Sequence, residues 1–271
     1  MPRTRLRLAA AAVSVVAAVA SLSACAPTSG SGDGLVTEGK LTVATGEPAY
    51  SPWVEDDDPT TGQGFEAALA YAVADQLGYE KDDVVWVRST FDEAIAPGPK
   101  TFDLNLQQFS ITEQRAEAVD FSSPYYETRQ AVVTLPGSAA EGATSVADLQ
   151  GLAIGAQSGT TSFTAAEKVI DPEGGVQAYN SNDDAKAALE AGQVDAIVLD
   201  VPTATYFVEG GVVLGQLAAE DGASDELGIV LPLGSALTGD VTDAVEALRA
   251  DGTLDELQQE WLADYDVTEL S

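Results

Sequence analysis

The sequence contains no histidine and only one cysteine among its 271 residues. Without histidine, the chain cannot form a Ser-His-Asp or Cys-His nucleophile system, and it cannot bind zinc or iron through imidazole. A single cysteine also excludes a disulfide within the chain. Any catalysis would therefore depend on carboxylates, hydroxyls, lysine or tyrosine, and we expect neither a metal nor another cofactor.

Positive charge is scarce as well. Twelve lysines and arginines stand against 44 aspartates and glutamates, which gives a net charge of −32. A nucleic-acid-binding protein neutralises phosphates with lysine and arginine, and a polybasic membrane-binding segment needs the same residues. The composition argues against both classes of partner. We interpret the acidity mainly as a contribution to solubility.

The N-terminal segment is typical of an export signal. MPRTRLR is basic, and the apolar run LAAAAVSVVAAVA follows it. That run is shorter than the roughly 20 residues that a membrane-spanning helix needs. The layout predicts a secretory signal peptide over residues 1–24.

The cysteine lies at the end of this segment, in Leu22-Ser23-Ala24-Cys25. These four residues resemble the lipobox of bacterial lipoproteins, which implies that Cys25 is lipidated and anchors the protein to the cell membrane. The alternative is an ordinary cleavage site that carries an incidental cysteine. Residues 25–34 are small, polar and rich in glycine and serine, so we expect a flexible linker there.

From Leu35 onwards, strand-like and helix-like segments alternate in two rounds, with a break near residues 127–132. The predicted strands are KLTVA, DVVWVRS, FDLNLQQFS, RQAVVTLPG, GLAIGAQ, VDAIVLD and GIVLPLGS. The alternation predicts α/β layers with largely parallel sheets, in which ligands bind at the carboxyl ends of the strands. Ser110, residues 158–161 and Asp200 all fall at such ends.

The first of these polar segments is Ser110-Ile111-Thr112-Glu113. It has the pattern of a capping box, which predicts a helix that begins at Ser110. The free N–H groups of a helix start favour an anion, and Arg115 in the second turn would fork around the same anion. The alternative is that Arg115 pairs with Glu113 or Asp120 on a solvated helix face.

Two further segments carry polar groups at strand ends. Residues 157–161, QSGTT, join a strand to a helix but lack the lysine and the glycine spacing of a phosphate-binding loop. An N-cap without a ligand is the alternative there. Asp200 ends an apolar strand, where a carboxylate must be solvated or paired, and capping of the next helix is its alternative role. Together, the three segments would hold the two ends of a zwitterion.

Six blocks of the sequence resemble, in order, the landmarks of the family 3 extracellular solute-binding proteins, the polar amino-acid receptors of ABC importers. The blocks are TVATGEPAYSPW, GFEAALAYAVADQLG, FDLNLQQFSITEQRAEAVDFSSPYY, IGAQSGTTSF, LEAGQVDAIVLDVPTATYF and LRADGTLDELQQEWL. The resemblance covers residues 40–265. It implies a two-lobed α/β fold of the periplasmic-binding-protein type II class, in which each lobe is a mixed sheet flanked by helices.

The resemblance also implies how the chain divides into domains. The first lobe would be discontinuous, with residues 35–127 and 230–271, and the second lobe would comprise residues 131–223. Two hinge segments near 127–132 and 224–230 would join them. Closure around a ligand would then be a hinge motion of the two lobes.

The same resemblance implies roles for residues that match the motifs. Arg115 would bind the α-carboxylate of the ligand together with Ser110, and Thr160 and Thr161 would assist from the second lobe. Asp200 would bind the α-ammonium.

Other matching residues would surround the ligand side chain. Tyr50 and Phe91 match aromatic walls, and Glu47 matches an acidic position after a one-residue insertion is allowed. The sequence departs from the family pattern at Gln107 and Gln108, where small residues are usual. The side-chain amide of either glutamine would be able to reach into the pocket, and we nominate Gln108 as a ligand-binding residue.

The implied function is capture of an amino acid by a monomeric, lipid-anchored receptor on the extracytoplasmic face, which delivers it to an ABC permease. The negative charge of the chain favours a neutral polar or cationic amino acid over an acidic one. Two alternatives use the same fold. One is an enzyme similar to cyclohexadienyl dehydratases, which would need a general acid such as Glu47. The other is a sensor that signals to a partner protein.

Overall fold

The computed structural model describes residues 34–207, 210–218, 224–262 and 267–271. The predicted signal peptide, Cys25 and the linker up to residue 33 lie outside the described residues. Among the residues described, no helix combines the length and the apolar character that crossing a membrane requires.

The described strands and helices alternate along most of the chain. The strands are β1 (Leu41–Thr45), β2 (Val84–Arg88), β3 (Leu104–Asn105), β4 (Val119–Phe121), β5 (Tyr126–Thr128), β6 (Gln130–Thr134), β7 (Ile154–Gln157), β8 (Gln177–Tyr179), β9 (Ala196–Asp200), β10 (Val212–Gln216), β11 (Asp225–Leu227) and β12 (Val230–Pro232). The α-helices are α1 (Phe65–Gln76), α2 (Phe91–Ile95), α3 (Glu113–Ala116), α4 (Thr161–Ala165), α5 (Asn182–Glu190), α6 (Val201–Phe207), α7 (Thr238–Ala250) and α8 (Thr253–Trp261).

The strands form two five-stranded sheets. Sheet A has the order β2-β1-β3-β12-β4, and sheet B has the order β10-β6-β9-β7-β8. In sheet A, β1 is parallel to β2 and β3, whereas β12 is antiparallel to β3 and β4. In sheet B, β7 is parallel to β8 and β9, whereas β6 is antiparallel to β9 and β10. Both sheets are therefore mixed, as the resemblance implies, and less parallel than the strand–helix alternation alone predicts.

The core of the sheet A half lies between β1 and the helices α1, α7 and α8. On α1, Phe65, Leu69 and Val73 are completely buried in this core. The helix starts in close contact with the preceding loop, because a Cβ atom on Gly64 would lie only 2.6 Å from the carbonyl oxygen of Trp53. Gly64 also has a φ of +100°, which glycine adopts without strain. This close approach fixes α1 over the sheet.

Sheet B is buried on both faces, and its central strand β9 shows why. Ile197 and Leu199 pack into one hydrophobic cluster together with Leu189 of α5. Ala196 and Val198, which point to the opposite face, belong to a second cluster. A strand that is buried on both faces needs apolar residues at successive positions, which explains the continuous apolar run of β9.

The chain passes between the two sheets at a two-stranded ribbon. In this ribbon β5 is antiparallel to β11, with Tyr126 opposite Leu227 and Thr128 opposite Asp225. Sheet A thus contains strands that precede sheet B in the sequence, β1 to β4, and one that follows it, β12. The exact lobe boundaries, 35–127 with 230–271 and 131–223, stay a prediction.

The predicted helix start at Ser110 is wrong. The helix α3 begins at Glu113, and the N-cap is Thr112, whose side chain accepts a hydrogen bond from the N–H of Arg115. Ser110 instead forms an isolated bridge with Leu227, because the chain is still extended there. The capping-box pattern pointed to Ser110, which has Glu113 three residues on, whereas Thr112 has Arg115 in that position and caps the helix without a capping box.

The predicted strand FDLNLQQFS is also too long. Strand β3 comprises only Leu104–Asn105, and the chain turns at Gln108, which has a φ of 51°. Five short strands were not predicted at all, namely β4, β5, β8, β10 and β11. Four of them have only three residues, and the apolar start of the fifth, β10, is followed directly by Gly215 and Gln216.

Candidate ligand-binding site

A cavity of about 130 Å³ lies between the two sheet halves. All nine residues that the sequence nominated for ligand contact line it: Glu47, Tyr50, Phe91, Gln108, Ser110, Arg115, Thr160, Thr161 and Asp200. The cavity lies where β1, β7 and β9 end, as expected for the carboxyl ends of parallel strands. The structure therefore brings these residues together, and their contacts with a ligand stay predictions.

Arg115 is buried, with only 8% of its surface exposed. Its Nη1 donates to the carbonyl oxygen of Ser110 at 2.7 Å, and its Nη2 donates to the carbonyl oxygen of Gly159 at 3.0 Å. The guanidinium lies 5.1 Å from the ring centre of Phe91, a cation–π distance. Burial lowers the pKa of Arg115, while the charges of Asp200 and Asp225 oppose that shift.

The alternative in which Arg115 lies on a solvated helix face is therefore wrong. The carboxylate of Asp120, one of the two partners considered for it, accepts instead from the N–H of Gly234 and from the hydroxyl of Thr238. The helix α3 that carries Arg115 has four residues, so it contributes little dipole. The positive group at this end of the cavity is therefore the buried guanidinium and not a helix dipole.

The hydroxyl groups of residues 160 and 161 have different surroundings. The Oγ1 of Thr160 accepts from the N–H of Phe163 and donates to the carbonyl oxygen of Gln157, so it is the N-cap of α4. The Oγ1 of Thr161 lies 3.0 Å from the Oγ of Ser110, which belongs to the other half of the molecule. Of the two threonines, Thr161 is thus the one whose hydroxyl faces the sheet A wall.

Asp200 lies at the end of β9 and is paired with an amide. The Nε2 of Gln130 donates to Asp200 Oδ1 at 2.8 Å and to Asp225 Oδ2 at 2.6 Å. The Oε1 of Gln130 accepts from the hydroxyl of Ser162 at 2.5 Å. Burial and the neighbouring charge of Asp225 raise the pKa of Asp200 to about 7, against the opposing effects of Gln130 and Arg115. A cation beside Asp200 would restore its ionised form.

Glu66, which no sequence motif indicated, lies behind the cavity wall. Glu66 is 1% exposed, and its Oε1 accepts from the backbone N–H of Gln108 at 2.8 Å and from the hydroxyl of Tyr125. Its Oε2 accepts from the Nε2 of Gln108. Burial raises the pKa of Glu66 to about 7. The signal was present, because Glu66 shares the helical spacing of the buried Leu69, Ala70 and Val73.

Gln130 was also missed, because a glutamine at the start of an apolar strand carries no motif of its own. It is 5% exposed and connects Ser162, Asp200 and Asp225 through one side-chain amide. Only the pairing of β6 with β9, which places Gln130 opposite Asp200, reveals its role.

Gln107 lines the cavity beside Gln108. Its Oε1 is buried and has no hydrogen-bond partner within the described part of the chain. A Cβ atom on Gly46 would lie 2.9 Å from the Nε2 of Gln107, so a glycine at position 46 leaves room for this side chain. The Oε1 of Gln107 is therefore an acceptor that the described residues leave unused.

Several contacts join the two halves around the cavity. The hydroxyl of Tyr50 donates to Asp183 Oδ2 at 3.1 Å, and the ring of Tyr50 meets that of Phe207 edge-on at 4.7 Å. Deeper in the molecule, Trp53 Nε1 donates to Thr203 Oγ1 at 2.8 Å. With the contacts of Arg115 and Ser110 described above, these bonds show the cavity in a closed arrangement.

The chain is similar to proteins of known family. The family model "Bacterial extracellular solute-binding proteins, family 3" matches residues 41–264. The L-arginine-binding protein of Pseudomonas aeruginosa is 30% identical over 231 residues, which are 82% of this chain and 87% of that protein. The chain therefore belongs to the family 3 bacterial extracellular solute-binding proteins.

Solved structures agree with this assignment. An ancestral arginine-binding protein bound to arginine has a TM-score of 0.69 and 30% identity, covering 83% of this chain and 99% of its own. One bound to glutamine has a TM-score of 0.69 and 29% identity, covering 84% of this chain and 100% of its own. An ancestral amino-acid-binding protein described as a precursor of cyclohexadienyl dehydratase has a TM-score of 0.66 and 27% identity. That match covers 82% of this chain and 95% of the other. The fold is thus the type II periplasmic-binding-protein fold.

Proposed function

We propose that this solute-binding protein captures a free amino acid in the cavity between sheets A and B, with the α-carboxylate at Arg115 and the α-ammonium at Asp200. The observation that carries the proposal is that a buried guanidinium and a desolvated carboxylate, one from each half, line the same cavity. A zwitterion is the ligand class that supplies both with a countercharge. Relatives named for arginine binding support this ligand class.

The carboxylate end of the ligand would meet donors that are already in position. A guanidinium has five N–H donors, and the carbonyl oxygens of Ser110 and Gly159 each accept from one of its terminal nitrogens. The remaining donors suit the planar fork of a carboxylate. The hydroxyl groups of Ser110 and Thr161 are hydrogen-bonded to each other across the two halves, so the pair would add one further donor, and binding and closure would reinforce each other.

The ammonium end would be recognised by Asp200. Gln130 supplies Asp200 with one hydrogen bond but no charge. An ammonium group would compensate the carboxylate charge that burial and Asp225 now disfavour. Binding at this end is therefore coupled to the ionisation of Asp200.

The side chain of the ligand would lie against a wall rich in hydrogen-bond acceptors. Tyr50 and Phe91 supply aromatic surface, and Glu47, Gln107 and Gln108 supply polar groups. An acidic side chain would meet the charge of Glu47 and the negative field of the chain. We therefore infer a neutral polar or cationic amino acid, in line with the arginine and glutamine carried by the similar structures.

We also propose that the ligand is enclosed by a hinge motion. Residues 35–127 with 230–271 would move as one lobe and residues 131–223 as the other, about the segments near 127–132 and 224–230. The ribbon of β5 and β11 lies in these segments and is short enough to bend. The closed form would then present its ligand to the permease of an ABC importer.

The place of action follows from the N-terminal sequence. Residues 1–24 would direct export, and Cys25 would carry the lipid that holds a monomeric receptor at the extracytoplasmic face of the cell membrane. The small polar residues up to position 34 would let it move on a short tether. Mass spectrometry of the membrane fraction should find a diacylated N-terminus at Cys25, which a Cys25→Ala variant lacks.

We propose binding rather than catalysis. Elimination from a carboxylated ring would need a general acid in the cavity. Glu47, the nearest candidate, is an exposed residue. Asp200 is the other carboxyl group of the cavity, and the ammonium of an amino acid would occupy it. Recovery of chemically unchanged ligand after long incubation is the expected result.

The direct test is a thermal-shift screen of the purified mature protein against the twenty amino acids and common polyamines. A ligand that binds only the folded state raises the melting temperature. We expect arginine, lysine, glutamine or a similar polar amino acid to give the largest shift, with micromolar affinity, about −8 kcal/mol. Stabilisation by glutamate alone would contradict the charge argument. No response to any amino acid would overturn the proposed ligand class.

A further inference from the structure

We propose that Glu66 is a positioning residue that sets the orientation of the Gln108 amide, and thereby decides whether the cavity offers an acceptor or a donor to the ligand side chain. This inference rests on the proposed function, because it assumes that an amino-acid side chain lies against Gln108. It assigns to Glu66 a part in ligand selection although Glu66 itself does not line the cavity.

The carboxylate of Glu66 accepts hydrogen bonds from both the backbone and the side chain of Gln108. Glu66 lies in the first turn of α1, and Gln108 follows β3 in a left-handed conformation with a φ of 51°. Oε1 of Glu66 accepts from the backbone N–H of Gln108 at 2.8 Å, and Oε2 accepts from its side-chain Nε2. Tyr125 donates a third hydrogen bond, to Oε1. The carboxylate thus fixes the backbone turn and the side chain of Gln108 together.

An ionised carboxylate accepts hydrogen bonds and donates none. The amide nitrogen of Gln108 must therefore face Glu66, and the amide oxygen is turned away from it. Since Gln108 lines the cavity and Glu66 lies behind it, the oxygen is the atom that remains for the ligand. Together with the unused Oε1 of Gln107, it favours a ligand side chain that donates hydrogen bonds.

Protonation of Glu66 would reverse this preference. Oε1 already accepts from two donors, so an added proton would reside on Oε2, opposite the Nε2 of Gln108. Two donors, the Oε2–H of Glu66 and the Nε2–H of Gln108, would then face each other. Rotation of the amide by half a turn relieves the conflict, because Oε2–H then donates to the oxygen of Gln108. The NH₂ group would turn to the cavity, at the cost of one proton taken from solvent.

The surroundings of Glu66 make this change accessible at ordinary pH. The titratable groups that face it are Tyr125, which is hydrogen-bonded to it, and Asp200, whose charge acts on it through space. Burial is the main cause that raises the pKa of Glu66 to about 7. Above that pH the amide oxygen should face the ligand, and below it the amide nitrogen should.

The test uses two neutral ligands of nearly equal shape. L-Glutamine has a side-chain NH₂ that donates, whereas its methyl-ketone isostere has CH₃ in that place and can only accept. Both carry the same α-carboxylate and α-ammonium, so the contributions of Arg115 and Asp200 cancel in the affinity ratio. Calorimetry of the wild type should favour glutamine about tenfold at about pH 8.5. The ratio should fall towards one at about pH 5.5.

Two variants separate this role from a general structural one. Glu66→Gln supplies an amide that can donate to the oxygen of Gln108, so it should keep the ratio near one at both pH values. Gln108→Met removes the amide itself, so its ratio should not depend on pH. A Glu66→Gln variant with the wild-type ratio and pH profile would overturn the proposal, as would a wild-type ratio that stays constant with pH.

A second readout distinguishes failure of this inference from failure of the proposed function. In the ligand-free protein, the side-chain NH₂ resonances of Gln108 should shift with a midpoint near pH 7, and Glu66→Gln should abolish that shift. If neither ligand binds the wild type, the proposed ligand class fails while this titration still decides the orientation. A Gln108 resonance that does not move between about pH 5.5 and 8.5 would contradict the inference.

Discussion

The two charged ends of the cavity are built differently: Arg115 is buried and Asp200 is half-buried. Arg115, in the sheet A half, is held by two backbone carbonyl groups and by the ring of Phe91. Asp200, in the sheet B half, shares one amide NH₂ with a second carboxylate, Asp225. A guanidinium keeps its charge in proteins, whereas burial and the charge of Asp225 raise the pKa of Asp200 to about 7, so that Asp200 is only partly ionised near neutral pH.

This difference indicates how the two halves contribute to ligand capture. Under the proposed function, the sheet A end supplies a cation that keeps its charge whether or not a ligand is bound. Near pH 7 the sheet B end is only partly ionised, and a cation beside Asp200 would complete its ionisation. Carboxylate recognition should therefore be largely independent of pH, and ammonium recognition should not.

The largest expected effect is the loss of the fixed cation. Arg115→Ala removes two charge-assisted hydrogen bonds to the ligand carboxylate, which together contribute about 4 kcal/mol. Calorimetry should show an affinity reduced about 1,000-fold. The matched control is Arg249→Ala, which removes another arginine that donates to a backbone carbonyl, that of Pro124, outside the cavity. Equal losses of affinity in both variants would contradict the role of Arg115.

Replacing the second charge should cost less. Asp200→Asn keeps an oxygen that can accept from Gln130 but removes the charge, and we expect about a 100-fold loss of affinity for an amino acid. The deaminated analogue of that amino acid should bind about as before. Asp225→Asn is the control, because it alters the other carboxylate bound to the same amide and Asp225 does not line the cavity. A comparable loss of affinity in Asp225→Asn would mean that the loss in Asp200→Asn results from disturbed hydrogen bonds of Gln130 and not from the missing charge.

Stability should fall as pH rises. The pKa values of Glu66 and Asp200 are raised from 4.5 and 3.8 to about 7, so the folded state binds more protons than the unfolded state between these values. Their contribution to stability is complete at low pH and is lost as pH rises through 7. Urea unfolding of Glu66→Gln should show a decrease between about pH 4.5 and 8.5 that is smaller than the wild-type decrease by about 3 kcal/mol. An identical decrease would mean that Glu66 titrates normally.

The affinity for an amino acid should rise with pH, in contrast to the stability of the protein. Protons compete with the ligand ammonium for Asp200, so an amino acid should bind about tenfold more weakly near pH 6 than near pH 8. The deaminated analogue has no ammonium, so protons do not compete with it in this way. In Asp225→Asn the pKa of Asp200 should be lower, which moves the change in affinity to lower pH. A flat pH profile for the amino acid would indicate that Asp200 is ionised before binding.

The sequence predicted the elements with strong periodicity and the residues with a motif. The helix α1 and the strand β9 have clear apolar patterns, Asp200 lies at a recognisable strand end, and Arg115 lies in a recognisable sequence motif. The predicted helix start at Ser110 failed because two hydroxyl residues, Ser110 and Thr112, competed for one cap, and the choice depends on the bridge of Ser110 with Leu227.

The residues that support the site could not be located in this way. Gln130 acts through the pairing of two strands that are distant in sequence, and its partner Asp225 lies in a strand of three residues. Glu66 had a detectable signal, as a carboxylate on the apolar face of a helix. The position of its partner, Gln108, depends on a left-handed backbone conformation at Gln108 itself, and glutamine does not indicate such a conformation in a sequence as glycine or asparagine would.

The central claim is that the two ends of a zwitterion are bound separately, by Arg115 and by Asp200. The most direct test is calorimetry of three ligands, an amino acid, its deaminated acid and its decarboxylated amine, with the wild type, Arg115→Ala and Asp200→Asn. Arg115→Ala should weaken the amino acid and the acid but leave the amine nearly unchanged, and Asp200→Asn should weaken the amino acid and the amine but not the acid. Equal weakening of all three ligands in both variants would contradict the claim.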